Sequence, residues 1–271
     1  MTTSPERVAE LERANYAAML PSARVTPGVE VVLRDDVILT SSASLPGHDS
    51  NHACLLRTSV ERVGELIAEV MAFFQAQERP IAIYISPACK PSDLPDRLLG
   101  KGFSKQEEEE SWMVLEDLPN ADIPSSYPGY TVDLVSEGEA ELFAGVFLAA
   151  FGMPSEFAPI MAQLLRPSIG LPSVRHYVAR DAAGEAIGTC SLLLHESFGV
   201  LGSAGVVSDH RRKGAATSLA VRAATDAIEQ GVDTLMLQTA ADTWLERFLR
   251  ISGFERAFIR SCYIRDDGSS R

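Results

Sequence analysis

Apolar positions recur along this chain at two spacings, and their alternation lays out the elements. At steps of three and four residues, Val8, Leu11, Met19 and Leu20 predict a helix over 5–20, started by Ser4 and Pro5. Val60, Val63, Ile67, Val70, Met71 and Phe74 predict a second over 60–77, stopped by Pro80. Leu94 and Leu98 mark a short helix over 93–99, closed by Gly100 and Gly102. Further on, Leu142, Phe143, Val146, Phe147 and Ala150 predict a helix over 139–151, and a shorter one follows at about 156–165. An Ala-rich pattern predicts 215–229, ended by Gly231, and Leu245, Phe248 and Leu249 predict 242–251, capped by Asp242 or a neighbour.

Between these lie short β-type runs at 29–33, 37–40, 53–56, 81–85, 112–115, 130–135, 175–180, 186–194, 200–207, 234–238 and 256–264. Two pairs read as hairpins, the second turning at Gly184. The acidic run Glu107, Glu108, Glu109, Glu110 reads as a solvated strand edge or hairpin before Trp112. Strand–helix alternation of this kind predicts an α/β fold. The stretch 119–129 carries Pro119, Pro124, Pro128, Ser125 and Ser126 and predicts a linker, which divides the chain into units 1–118 and 130–271.

The two units end alike. A shift of about 150 positions lays Leu94 on Leu245, Leu98 on Leu249 and Gly102-Phe103 on Gly253-Phe254. A long helix and an apolar strand precede this segment in both cases, so the pattern reads as one α/β unit present twice. The copies differ chemically. Helix 215–229 opens on Arg211-Arg212-Lys213-Gly214, whereas the position matching Gly214 is Val63, preceded by Glu61 and Arg62.

Charge sharpens that contrast. The net charge is −13, which disfavours nucleic acid or an acidic membrane as the main partner and makes one basic cluster stand out. No run of about twenty apolar residues and no secretory leader pattern is present, so a cytoplasmic protein is expected. Cys54, Cys89, Cys190 and Cys262 are widely spaced, which predicts reduced, buried thiols and no metal site.

The run Val206-Val207-Ser208-Asp209-His210-Arg211-Arg212-Lys213-Gly214-Ala215-Ala216 therefore carries the chemistry. It places a basic, Gly-containing turn between strand and helix, where the first N–H groups of the helix lack partners and its dipole is positive. As Arg-x-x-Gly-x-Ala in that setting, with Gly253-Phe254 downstream, it resembles the pyrophosphate loop of the GNAT acyltransferase superfamily. The resemblance covers 130–265 well and 25–116 as a degenerate copy. It implies two tandem GNAT-like domains, each a central mixed, mostly antiparallel sheet flanked by helices. It also implies acetyl-CoA, or another acyl-CoA, as cosubstrate. The pyrophosphate would rest on Arg211, Arg212, Lys213, Gly214, Ala215 and Ala216, and the pantetheine arm beside Gly205, Val206 and Val207.

The family's usual general acid, a Tyr four residues before the Gly of Gly-Phe, is matched here by Leu249, and its usual Asn by Asp242. No Glu stands on the strand before the loop. Replacement groups are sought in His195, Glu196 and Ser203, with His210, Cys262 and Tyr263 as weaker candidates. The expected function is N-acyl transfer to a small-molecule amine by direct attack in a ternary complex, in a monomer or homodimer without nucleic-acid or membrane partners. The alternatives are a non-catalytic acyl-CoA-binding or regulatory module, and another, aminoacyl-type, acyl transfer. Segments 137–165 and 166–174, with the first half across the interface, line the expected acceptor pocket. They are low in charge, with Glu156, Arg166 and His176 as scattered polar candidates, which favours a neutral or partly hydrophobic amine over a polycation.

Overall fold

The computed structural model describes residues 3–265, so the extreme ends of the two expected units lie outside it. Eleven strands form a single sheet. In chain order they are β1 (Val29–Leu33), β2 (Ile38–Ser42), β3 (His52–Cys54), β4 (Ile81–Ile85), β5 (Ser104–Leu115), β6 (Thr131–Leu134), β7 (Val174–Arg180), β8 (Ala186–His195), β9 (Phe198–Val206), β10 (Thr234–Ala240) and β11 (Glu255–Arg265). Among the described residues seven α-helices flank them: α1 (Pro5–Val25), α2 (Val63–Ala76), α3 (Leu94–Gly100), α4 (Ala140–Phe151), α5 (Ala158–Leu165), α6 (Ala215–Glu229) and α7 (Trp244–Ile251).

The spatial order is β1-β2-β3-β4-β11-β5-β10-β9-β8-β7-β6. Only β3–β4 and β9–β10 are parallel, and α2 and α6 are their crossovers. The last strands of the two halves are exchanged. β5 follows α3 in the chain but pairs with β10, and β11 follows α7 but pairs with β4. β5 and β11 then pair with each other across the middle. The acidic run thus lies inside a twelve-residue strand at the centre of the sheet and not on an edge. Glu107 and Glu108 are exposed, while Lys105 Nζ and Ser261 Oγ reach Glu109 at 2.7 and 2.8 Å, and Arg260 Nε reaches Glu110 at 2.8 Å.

Strand alternation sends apolar side chains to both faces. On one face α1 covers Tyr84, Trp112, Val200, Met236 and Phe258, and α4 packs Phe143 on Val178. On the other, α2 and α3 cover Ile81 and Ile83, while α6 and α7 cover Leu192, Leu201, Leu235 and Phe254. The first helix runs past Pro21 to Val25, beyond the expected stop, and its end is tied to the second half where Thr26 Oγ1 donates to the Leu164 carbonyl at 3.4 Å.

One buried ion cluster fastens the exchanged strand. Arg260 on β11 is 3% exposed; its Nη1 donates to Tyr16 Oη at 2.9 Å and stands 3.6 Å from Glu12, and its guanidinium lies over Tyr84 at 4.2 Å. Burial raises the Glu12 carboxyl pKa, with Arg260 opposing it. Tyr16 continues the network to His52 Nε2 at 2.6 Å.

The matched segments share their closing geometry. Phe103 N donates to Leu98 O at 3.1 Å and Phe254 N to Leu249 O at 3.0 Å, after glycines at φ 85° and 90°. The match ends one turn earlier: Leu94 is fully buried, but Leu245 is 41% exposed. Helix α7 is capped by Thr243, the neighbour of Asp242; Thr243 Oγ1 accepts from Glu246 N, and Glu246 accepts from Asp242 N.

Candidate functional site

β9 and β10 pair at only three positions, Phe198–Thr234, Gly199–Leu235 and Val200–Met236. Beyond Met236, β10 stays with β5 and β9 stays with β8, so a wedge opens between them toward the loop that follows Val206. A β-bulge helps to splay β9. Gly202 faces Ser191 and Gly205 faces Thr189, which leaves Ser203 and Ala204 opposite Cys190 alone. Ser203 takes a left-handed φ of 49°, its carbonyl accepts from Thr189 Oγ1 at 2.8 Å, and both bulge residues are exposed.

The wedge leads to the helix terminus anticipated from sequence. After a 3-10 turn over Ser208–His210 the chain turns left-handed at Arg212 (φ 59°) and Gly214 (φ 101°), and α6 begins at Ala215. Gly214 supplies no capping side chain, so the first N–H groups of α6 face outward with the positive end of the dipole. That is the donor set an anionic phosphate requires. Gly214 is needed twice over, for its φ and for space: a Cβ there would stand 2.7 Å from Tyr127 Cβ and closer still to the ring. Tyr127 belongs to the stretch expected as a linker, and its N–H donates to Ser218 Oγ in α6 at 3.1 Å.

Arg211 does something other than line the loop with charge. Its Nε donates to Val206 O at 2.9 Å and its Nη2 to Ala150 O at 2.6 Å, so its guanidinium joins the loop to the last turn of α4. Gly205 permits that approach, since a Cβ there would lie 2.9 Å from Ala150 Cβ and from the Phe151 ring. Arg212 and Lys213 stay exposed beside the helix terminus.

The expected catalytic residues are not brought together. Ser203 sits at the mouth of the wedge. His195 and Glu196 fall in the turn joining β8 to β9, beyond Phe198 and at the closed end of the wedge. Five residues of strand separate Phe198 from Ser203, about 16 Å at the usual rise. Cys262 and Tyr263 lie on β11 against β4, with β5 between them and β10. Leu249 is 8% exposed and packs in the core with Phe254, where it offers no proton.

Further polar residues stand near the wedge, among them His176, a polar candidate from the sequence. On the α1 face, Gln238 Nε2 donates to the buried Asn15 Oδ1 at 2.9 Å, two positions past the last β9–β10 pair. Ser191, opposite Gly202, holds His176 Nδ1 at 2.8 Å, and Ser168 holds its Nε2 at 2.9 Å. Burial lowers the His176 pKa to about 4, so the ring is neutral near pH 7.

The corresponding place in the first half is closed. β3 and β4 pair at Ala53–Ile83, and the chains rejoin further on, where Lys90 N donates to Leu56 O at 2.8 Å. The residue aligned with Gly214, Val63, is fully buried.

Residues 144–254 match the model of the acetyltransferase (GNAT) family. The second half carries a GNAT-family domain. No curated protein matches the chain in sequence. Solved structures share its fold over nearly its whole length. A GCN5-related N-acetyltransferase from Kribbella flavida superposes with TM-score 0.69 at 16% identity, over 94% of this chain and 96% of that one. A tandem GNAT protein from the clavulanic acid biosynthesis pathway gives 0.65 at 15%, over 94% and 88%. A GCN5-related N-acetyltransferase from Sphaerobacter thermophilus gives 0.59 at 16%, over 97% and 94%. The GNAT fold supports acyl transfer in general, and the tandem arrangement is shared with a known relative in fold.

Proposed function

We propose that the protein is an N-acyltransferase that takes an acetyl group from acetyl-CoA and passes it to the amine of a small molecule. One observation carries this reading: the β9–β10 wedge, bulged at Ser203, opens directly onto the uncapped terminus of α6 at Gly214. A phosphate-bearing thioester fits that combination. The N–H groups of residues 212–216 bind pyrophosphate with Arg212 and Lys213 adding charge, and the pantetheine arm lies beside β9 at Gly205, Val206 and Val207.

The transfer needs only local help. The amine nitrogen attacks the thioester carbon, the C–N bond forms, the C–S bond breaks, and the amine proton passes to the departing thiolate, which leaves as the free thiol. The fold holds the two reactants together and excludes water. Ser203, exposed at the bulge, is the hydroxyl placed to donate to the carbonyl oxygen or the departing sulfur. With Leu249 in the core no dedicated acid is present at the family position, and a thiolate is a weak enough base to leave without one.

The first half acts as scaffold, a second copy of the unit whose wedge has closed at Leu56–Lys90 and whose cradle glycine is replaced by the buried Val63. Units 1–118 and 130–271 with their linker at 119–129 are kept as a description of ancestry, with terminal strands exchanged. The buried Leu249 favours one other reading, a binding module that holds acyl-CoA without turning it over. Mixing the protein with acetyl-CoA and a panel of primary amines and following free thiol separates them. Amine-dependent thiol release supports transfer; tight acetyl-CoA binding without any release supports the module.

A further inference from the structure

A cavity of about 240 Å³ lies between the two halves, on the α1 face of the sheet. Its walls come from both: Met19 and Ser22 of α1, Thr40 of β2 and Asp49 of the following loop on one side, Leu164 of α5 and Leu193 of β8 on the other. We propose that this cavity is the acceptor site, and that it selects an amine with an apolar spine and a second hydrogen-bond-donating or cationic group at its far end. The assignment rests on the acyltransferase reading above.

The position of the floor supports it. Leu193 pairs with Val200, and Val200 pairs with Met236 in the last register before β9 and β10 part. The next residue of β9 on that face is Gly202, and a Cβ there would meet nothing within 4 Å. Gly202 thus borders open space on the same face of β9 as the cavity floor, one position short of the bulge at Ser203. From Val200 to Ser203 is three residues, about 10 Å of strand.

The lining sets the chemistry. Met19, Leu164 and Leu193 give an apolar wall, and the Ser22 and Thr40 hydroxyls lie among them. Asp49 is the one charged side chain that lines the cavity. It is held by the Tyr84 hydroxyl at 3.1 Å and lies on the first-half side, away from Leu193. At about 30 Å³ per water-sized group, the cavity's 240 Å³ holds about eight non-hydrogen atoms, and the rest of a longer ligand lies along β9 toward Ser203. An α,ω-diamine or amino alcohol meets these terms: one neutral amine reaches the thioester while the other end rests on Asp49. The first half, its own wedge closed, would then supply specificity.

The test uses the full chain with 1,8-diaminooctane, 8-amino-1-octanol, octylamine and glucosamine as probes. It reads acetyl-CoA affinity by calorimetry, amine binding by ligand-observed NMR, and thiol release. The expected order of kcat/KM is diamine, amino alcohol, octylamine, with glucosamine last. Ala23→Phe fills the cavity from α1 and raises the KM for the diamine at least tenfold while acetyl-CoA affinity stays within twofold. Asp49→Asn, isosteric and exposed, brings the diamine and octylamine to within about threefold of one another. Unchanged KM in Ala23→Phe, an unchanged order in Asp49→Asn, or no amine binding to protein that does bind acetyl-CoA overturns the acceptor assignment. Failure of the wild-type protein to bind acetyl-CoA overturns the cradle reading instead.

Discussion

The ring of Tyr127 rests on Gly214, so the stretch between the halves forms one wall of the proposed phosphate cradle. Gly214→Ala then has two costs. An alanine at φ 101° is strained, and its Cβ collides with Tyr127. Together they destabilise by about 2–4 kcal/mol. Removing the ring relieves only the collision, so Gly214→Ala with Tyr127→Ala is expected to recover about 1 kcal/mol or more of that loss. Urea unfolding of both single variants and the double checks it; additive effects would show that the two residues do not touch.

Arg211 and Arg212 are adjacent and basic but do different work. The Arg211 fork holds the carbonyls of Val206 and Ala150, which ties the loop to α4. Arg211→Lys is expected to weaken acetyl-CoA binding about tenfold at both 50 mM and 500 mM salt. Arg212→Ala weakens it at low salt only, because an exposed charge is screened. Calorimetry at the two salt concentrations separates a geometric role from a coulombic one. Equal salt dependence for both variants would contradict this division.

Two buried histidines make the fold sensitive to mild acid. Burial lowers His52 to about 3 and His176 to about 4. Each must stay uncharged in the folded chain and gains a proton on unfolding below its ordinary value of about 6.5. Their stabilisation is therefore complete above that value and is lost as pH falls toward the folded values, at up to about 1.4 kcal/mol per pH unit for each. Urea midpoints between pH 7 and pH 5 should fall, and His176→Gln should reduce the slope. A slope unchanged in that variant rules out His176 as a source.

Glu246 acts lower on the scale. It is 2% exposed, and donors from Arg256, Asp242 N, Ser111 and Arg250 hold its carboxylate at about 2. That stability is present above about 4.5 and is lost as pH falls toward 2, about 3 kcal/mol in all. Glu246→Gln should lose stability at pH 7 but little at pH 2.5, as read by thermal unfolding at the two values.

Arg260 holds the exchanged strand. Arg260→Leu leaves Glu12 and Glu110 without their shared cation and is expected to destabilise by about 3–5 kcal/mol. Replacing Glu12 by Gln in the same chain should recover part of it. A loss under 1 kcal/mol would mean that the cluster does not fasten β11.

Local chemistry was what the sequence could disclose. The loop at 211–216 and its helix were visible because every requirement, strand, basic turn, Gly and Ala-rich repeat, lies within about thirty residues. The Gly-Phe closures at 103 and 254 were visible for the same reason. Pairings over long separations were not. Nothing near Glu109 or Glu110 shows that Ser261 and Arg260 will meet them, so a central strand read as an edge. Nothing near Tyr127 points to Gly214. His195, Glu196 and Ser203 are near one another in sequence, but a turn and a bulge on one strand lie at opposite ends of it.

The central claim is that one half holds acyl-CoA and the other has lost the means to. The stoichiometry of acetyl-CoA binding, measured by calorimetry on the full chain, tests it most directly. The account predicts saturable binding at one site per chain, abolished by Gly214→Trp and unaffected by substitutions at the exposed Arg62 beside Val63. Two sites per chain, or binding that survives Gly214→Trp, would contradict it.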